Sequence, residues 1–252
     1  MKKLIIGIGF ISFSSLAAAQ QAFDGFNFQL GIGGIQSQVN ASNTQDTSLI
    51  PNPNINNTTT GTSFNGIASI GYSQSFDGLF KGFNLASNVF YVIGNQSAGN
   101  VSNTTNGVVT VDPSLSATQN LSGSYKLKNT WGISVEPGYY VSKNLLGYLK
   151  FAYVSSTANG SFSCSTSDSA CLSGPGTYTT NSSFSSNKTI NGVGYGFGGK
   201  YQITQNVYGA LDFLYVDYSK ISQDFSWTGI NVSSASFKPQ QYMGFLSIGY
   251  KF

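Results

Sequence analysis

Residues 26–33 have the sequence FNFQLGIG, in which every even position is apolar and every odd position is small or polar. A side-chain period of two is typical of a β-strand whose two faces meet different surroundings. In seven further runs one face carries aliphatic and aromatic residues and the other mainly glycine, serine and asparagine, at residues 64–72, 83–93, 125–135, 145–153, 193–201, 207–215 and 242–252. The sequence therefore predicts eight amphipathic antiparallel strands.

The links between the runs indicate what the apolar faces meet. Short links alternate with long ones rich in Asn, Ser, Thr and Gly, at residues 40–62, 95–121, 156–188 and 220–236. Short turns at one end and long polar loops at the other are typical of outer-membrane barrels. Only 8% of the residues are charged, against roughly 25% in an ordinary soluble domain. We therefore expect an all-β fold, a single eight-stranded antiparallel up-and-down transmembrane β-barrel, with outer-membrane lipid around it and the four long links as surface loops.

A ten-stranded barrel is the alternative, if the stretch around residues 108–111 also crosses the membrane. That stretch lacks a second group of aromatic residues. It is therefore interpreted as part of a hairpin that extends above the surface.

The first residues have the three-part plan of a secretory signal peptide. A basic start is followed by an apolar run from Leu4 to Leu16 and by three small residues, 17–19, before Gln20. The run is shorter than the roughly 20 residues that a membrane-spanning helix needs. We expect residues 1–19 to be removed and residues 20–252 to form the barrel in the outer membrane of a Gram-negative bacterium. Cys164 and Cys171 are then expected to form a disulfide, because an exported chain meets an oxidising compartment.

The barrel interior is where charge needs an explanation. By alternation from their lipid-facing neighbours, Glu136, Lys150, Lys200 and Asp212 point into the lumen. A turn centred on Lys143 puts Glu136 level with Lys150, and a turn centred on Asn206 puts Lys200 level with Asp212. The sequence therefore predicts two lumenal charge pairs. They either form a polar gate for small solutes or act as a structural plug that neutralises the interior, and the second reading is favoured.

Two further features bear on the lumen. Gly192, Gly194, Gly196 and Gly198 line the same side of one strand and leave space for a narrow wet passage. The alternation in the fourth run places Tyr125 and Leu127 on the lipid side. Lys126 and Lys128 are then expected to face inward near the outer mouth.

One hairpin occurs twice, and with it the sequence resembles a known family. Residues 139–154 and 201–216 are identical at seven of sixteen aligned positions. Residues 196–218, GFGGKYQITQNVYGALDFLYVDY, resemble the penultimate hairpin of small porin-like, opacity-type outer-membrane barrels, relatives of the outer membrane protein A barrel. The terminal Gly249-Tyr250-Lys251-Phe252 resembles their last strand. The resemblance implies the barrel fold and a final residue, Phe252, that the barrel-assembly machinery recognises. The absence of arginine departs from the pattern of such barrels.

The composition argues against catalysis, metal binding and nucleic-acid binding. The sequence has no His, and all 12 basic residues are Lys. An imidazole base and histidine metal ligands are therefore absent, and nucleic-acid binding is poorly supported at a net charge of +3. We expect no catalytic residues, no metal and no cofactor. The expected function is a structural or weakly porin-like barrel, and the alternative is a surface recognition module that binds a host, phage or matrix partner through its long loops.

Overall fold

The computed structural model describes residues 22–43, 57–76, 81–108, 116–166, 171–174, 177–179, 181–227 and 230–252. Within these ranges, no helix is long and apolar enough to cross a membrane. The predicted signal peptide, residues 1–19, lies outside the described part of the chain.

The described chain is almost entirely β-structure. The strands are β1 (Gly25–Asn43), β2 (Asn57–Ser75), β3 (Phe83–Ile93), β4 (Gln96–Val108), β5 (Ser116–Ser142), β6 (Leu145–Thr166), β7 (Cys171–Gly174), β8 (Thr177–Thr179), β9 (Asn181–Gln202), β10 (Val207–Tyr218), β11 (Ile221–Trp227) and β12 (Ile230–Lys251).

Eight of these strands form a closed antiparallel ring. The order is β1-β2-β3-β5-β6-β9-β10-β12, and β12 pairs back onto β1 from Asn27↔Lys251 to Asn43↔Ala235. The eight-stranded barrel predicted from the alternation is confirmed. Strand β4 pairs with residues 116–127 of β5, and β11 pairs with residues 230–237 of β12. Neither of them is a ninth strand of the ring.

The polarity of the barrel is inverted relative to a soluble barrel. On β1 the side chains of Phe26, Leu30 and Ile32 are exposed on the outside, whereas Asn27 and Gln29 are buried inside. The other ring strands also carry exposed large apolar side chains, among them Val89, Ile133, Phe151, Phe197, Leu211 and Ile248. In water this surface would be costly, and in lipid it is the stable arrangement.

Cross-strand aromatic pairs reinforce the outer face. Tyr195, Tyr215 and Tyr242 lie side by side on β9, β10 and β12, with ring centroids 5.0 and 4.9 Å apart. Directly opposite residues on neighbouring strands contact each other in this way, and each such pair adds roughly 0.2–1 kcal/mol to the pairing. The pairs therefore help to fix the register of three successive strands.

A bulge in β5 reverses the side of the barrel wall to which residues 125–128 point. The ladder between β5 and β6 shifts register between Lys128 and Trp131, where Asn129 has a φ of 51°. Tyr125 and Leu127 are buried inside, whereas Lys126 is exposed. The prediction that Lys126 and Lys128 face the lumen is therefore wrong, because an extra residue at a bulge moves every side chain beyond it to the other face.

Much of the four predicted surface loops is paired strand. The β1–β2 ladder continues to Ala41↔Asn57, β5–β6 to Gln119↔Thr166, and β6–β9 to Ser165↔Asn181. The long polar links therefore contain strand structure beyond the eight predicted runs. Cross-strand hydroxyl pairs hold these extensions, such as Ser122–Ser163 at 2.7 Å and Ser124–Ser161 at 2.8 Å. We call the end of the barrel with these extensions the outer end, and the end with the short turns the inner end.

Candidate functional site

Four charged side chains meet inside the inner half of the barrel. Glu136, Lys150, Lys200 and Asp212 lie on the successive strands β5, β6, β9 and β10. Each alternates with outward-facing apolar neighbours, such as Val135 beside Glu136, and is therefore directed into the lumen. All four are buried, with exposed fractions between 3% and 9%.

The four side chains form one continuous ion chain. Lys150 Nζ lies 2.6 Å from Asp212 Oδ1 and 3.1 Å from Glu136 Oε1. Lys200 Nζ lies 3.2 Å from Glu136 Oε2. Two ammonium groups and two carboxylates balance in charge, which offsets part of the large cost of taking them out of water.

The register of the two inner turns explains which charges meet. Val135 pairs with Phe151 and Gly138 with Tyr148, so Glu136 stands level with Lys150. In the next hairpin Tyr208 pairs with Gln202, so the turn is centred on residue 205 and not on Asn206.

The predicted pair between Lys200 and Asp212 is therefore corrected. The shifted turn places Lys200 opposite Ala210, and Asp212 lies opposite Gly198. Lys200 binds Glu136 instead, and Asp212 binds Lys150.

Three uncharged residues complete the cluster. Tyr148 Oη donates to Asp212 Oδ1 at 2.7 Å, and Gln29 Nε2 donates to Asp212 Oδ2 at 3.2 Å. Ser134 Oγ donates to Glu136 Oε1 at 3.1 Å. Lys200 Nζ also lies 4.9 Å from the centroid of the Tyr148 ring, within range of a cation–π contact. The sequence analysis did not single out these three residues, although the alternation along each strand predicts that their side chains face inward.

Tyrosine side chains fill the space that the glycines leave. A Cβ built on Gly198 would lie 2.5 Å from the ring of Tyr148, and one on Gly249 would overlap the ring of Tyr208. Gly192 and Gly194 face Val216 and Leu214 in the same way. The narrow wet passage considered from the glycine row is thus occupied by side chains.

Apolar and polar layers close the rest of the lumen. Towards the inner end, Phe23, Leu146, Tyr208 and Ala210 form a buried apolar cluster. Outward of the ion chain, a larger apolar cluster crosses the barrel from several strands; it includes Ile35, Phe90, Val154, Leu214, Met243 and Phe245.

A buried hydrogen-bonded layer crosses this larger cluster, which itself includes Tyr218. Gln241 Nε2 donates to Ser37 Oγ at 3.0 Å and to Gln96 Oε1 at 3.3 Å, and Tyr218 Oη donates to Gln241 Oε1 at 2.6 Å. Thr130 Oγ1 donates to Gln96 Oε1 at 2.6 Å. Gln96 reaches this position because the chain turns inward after β3 at Gly94, which has a φ of 102°. We call these five residues the polar layer.

The remaining predicted site residues are placed as follows. Phe252 has an exposed ring packed edge-on against Tyr250, and its backbone N donates to Phe26 O at 2.9 Å; its role in assembly stays a prediction. Cys164 lies in β6 and Cys171 begins β7, but both side chains lie outside the described residues, so the disulfide also stays a prediction. In the described ranges no three His, Cys, Asp or Glu side chains are grouped as metal ligands.

A closed eight-stranded antiparallel barrel with an apolar outer face and charges buried inside is the architecture of small outer-membrane β-barrel proteins. No protein-family model and no curated protein matches this sequence. Among solved structures, the chain is similar to the attachment invasion locus protein Ail of Yersinia pestis, with 13% identity, a TM-score of 0.34, and 91% of this chain and 99% of that chain covered.

Two further solved structures are similar at the same level. The outer membrane protease OmpT from Escherichia coli has 10% identity and a TM-score of 0.38, with 94% of this chain and 100% of that chain covered. The outer membrane protein OprG from Pseudomonas aeruginosa has 11% identity and a TM-score of 0.36, with 92% of this chain and 99% of that chain covered. Similarity at this level says nothing about the activity of this chain.

Proposed function

We propose that the protein is a non-conducting, non-enzymatic outer-membrane barrel whose working surface is its outer end. The inverted polarity supports a membrane location, because the apolar outer face needs lipid around it. The signal-peptide pattern of residues 1–19 and the terminal Phe252 support export and insertion by the barrel-assembly machinery.

The filled lumen is the observation that carries this proposal. An apolar cluster, the ion chain, and a larger apolar cluster crossed by the polar layer follow one another from the inner to the outer end. An eight-stranded barrel is just wide enough for side chains to fill, and here buried side chains occupy each of these layers. A structural plug therefore fits the four charges better than a gate, and the weakly porin-like role is the less favoured reading.

The outer end supports a recognition role. Paired strands continue past the apolar outer face and are rich in Ser, Thr and Asn, as in the β5–β6 and β6–β9 extensions. Ladders of this length hold a surface in a fixed shape, which lowers the entropic cost of binding a partner. We propose that a host, phage or matrix partner binds there.

Single-channel recording in planar bilayers tests the non-conducting role. Heat-modifiable gel mobility first establishes that the inserted protein is folded, and the heat-unfolded protein serves as the control. We expect no discrete openings from the folded protein, because side chains fill the lumen. Reproducible openings of the folded barrel would overturn the proposal. Sucrose-gradient fractionation of cell envelopes tests the location independently, and recovery in the inner-membrane fraction would contradict it.

A further inference from the structure

The bulge in β5 turns two lysines to the outside of the barrel. Lys126 is exposed and stands opposite Asn159 on β6, and Lys128 is half-buried and stands opposite Thr157. Leu127, between the two lysines, is buried inside. Because successive side chains of a strand point to opposite faces, both lysines lie on the outer wall. We call them the lysine pair.

The lysine pair lies just beyond the apolar part of the wall. Among the described side chains of β5, Trp131 is the outermost exposed apolar one, and it stands opposite the exposed Tyr91 on β3. The β6 residues opposite Trp131 and Lys128 are two positions apart, which is about 7 Å along the strand. Exposed Trp and Tyr side chains mark the level of the lipid headgroups, whose layer is about 5–8 Å thick. Lys128 therefore lies in the headgroup layer, and the long side chain of Lys126 reaches it from above.

Neither ammonium group of the lysine pair is neutralised by a neighbour. In the described part of the chain no carboxylate lies within salt-bridge distance of either one. Elsewhere on the outer wall Lys238 contacts Asp217 at 2.8 Å. The strands beside the lysine pair instead contribute uncharged side chains that form hydrogen bonds, namely Thr157, Asn159, Asn187 and Thr189. This part of the wall therefore carries a positive charge that an anion from outside the protein would balance.

From this arrangement we propose that the lysine pair binds the phosphate of an outer-leaflet lipid, whose acyl chains lie along the apolar wall below. A membrane lipid is the source of the anion because the lysine pair continues the lipid-facing surface of Trp131, Ile133 and Val135 on the same strand. Lysine binds phosphate as a point charge, and side chains two apart on one strand are close enough to contact the same headgroup. The inference rests on the proposed function for the membrane location and the orientation of the barrel.

Quenching of Trp131 fluorescence by brominated lipids measures which lipid occupies this wall. Trp227→Phe removes the other of the two tryptophans, and the resulting protein is reconstituted in phosphatidylcholine vesicles. These contain increasing fractions of phosphatidic acid brominated close to the headgroup, or of phosphatidylcholine brominated in the same way. We expect phosphatidic acid to bind about tenfold more tightly at low salt, since each lysine near an anionic lipid surface contributes up to about fivefold. The preference should decrease in 1 M salt, where such charges are screened.

Two double variants separate the lysine pair from a general attraction to anionic lipid. Lys126→Gln with Lys128→Gln should abolish the preference, so that both lipids quench Trp131 equally. Lys81→Gln with Lys143→Gln removes the same charge from exposed positions at the inner end and should keep the preference. Both variants change exposed or half-buried side chains, and gel mobility shows that each is folded.

Two results would overturn the lipid site. They are equal quenching by the two lipids before any lysine is replaced, and equal losses of preference in the two double variants. Flotation of the vesicles establishes insertion before quenching is measured. A folded barrel that does not float with them would contradict the proposed membrane location and the lipid site with it, whereas one that inserts without a lipid preference refutes the site and leaves the proposed function in place.

Discussion

Removing Lys150 from the ion chain should lower the free energy of unfolding more than removing Lys200. Lys150 contacts both carboxylates, at 2.6 and 3.1 Å, whereas Lys200 contacts only Glu136, at 3.2 Å. At an effective dielectric constant of about 20, each contact contributes roughly 5 kcal/mol of gross attraction, most of which desolvation offsets. Breaking a buried pair costs about 3–5 kcal/mol. We expect Lys150→Met to lower the free energy of unfolding by about 5 kcal/mol and Lys200→Met by about 3 kcal/mol.

Double variants show which charges are coupled. Glu136→Gln with Lys200→Met leaves Lys150 paired with Asp212 and the cluster neutral. The loss should therefore be about 2–3 kcal/mol smaller than the sum of the two single losses, at the upper end of couplings between residues in contact. Lys200→Met with Asp212→Asn is the control cycle, since these two residues do not contact each other, and its coupling should not exceed about 1 kcal/mol.

Urea unfolding followed by heat-modifiable gel mobility measures each free energy of unfolding. A larger coupling in the Lys200–Asp212 cycle than in the Glu136–Lys200 cycle would refute the ion chain and favour the pairing expected from a turn centred on Asn206. Additive losses in both cycles would mean that water solvates each charge separately, which is incompatible with a filled lumen.

Three further predictions follow from the filled barrel and its two ends. Gly198→Val should destabilise the barrel by about 1–3 kcal/mol in urea unfolding, because its side chain overlaps the Tyr148 ring; Gly34→Val, with open space around its Cβ position, should change stability by less, and equal losses would contradict the packing. Protease added to whole cells should cut within residues 40–62, 95–121, 156–188 or 220–236, and cleavage only within residues 74–81, 140–144 or 202–206 would show that the orientation is reversed. Alkylation mass spectrometry without reductant should find no free thiol at Cys164 or Cys171, and two free thiols would exclude the disulfide, whose small loop should contribute about 2 kcal/mol or less.

The sequence predicts the barrel but not the facing of every residue in it. Alternation reports the facing of a strand wherever one side meets apolar surroundings and the other does not. It cannot report a bulge, because Asn129 is one residue among many asparagines, and only its left-handed backbone reverses the side on which Tyr125 and Leu127 lie. The polar extensions have no such signal, because Ser, Thr and Asn occupy both alternating positions along much of their sequence.

The candidate site, too, was predicted only in part from the sequence. The repeated hairpins are alike in sequence, yet their turns differ: two residues, Lys143 and Asn144, separate β5 from β6, whereas residues 203–206 separate β9 from β10. In the longer turn the backbone N of Ile203 and of Thr204 both donate to Val207 O, at 2.9 and 3.0 Å. At the offset of 62 residues, the centre of the first hairpin, residue 143, maps onto residue 205, the observed centre of the second, so the two hairpins share one register and the expected centre at Asn206 was one residue too far. Neither hairpin alone gives the contact between Lys150 on β6 and Asp212 on β10, which reaches across β9. The alternation of side chains along the strands nevertheless predicted that all four charged residues face the lumen.

Closure of the ring sets the order in which this chain can fold. Asn27 pairs with Lys251, so the last ladder joins segments from opposite ends of the described chain, whereas the hairpins need only neighbouring segments. Contacts between such distant segments form slowly. Until they do, β1 and β12 are two long open edges, and open edges bind other chains. A chain whose ring closes in this way must therefore be held apart from its copies until its final strand has arrived.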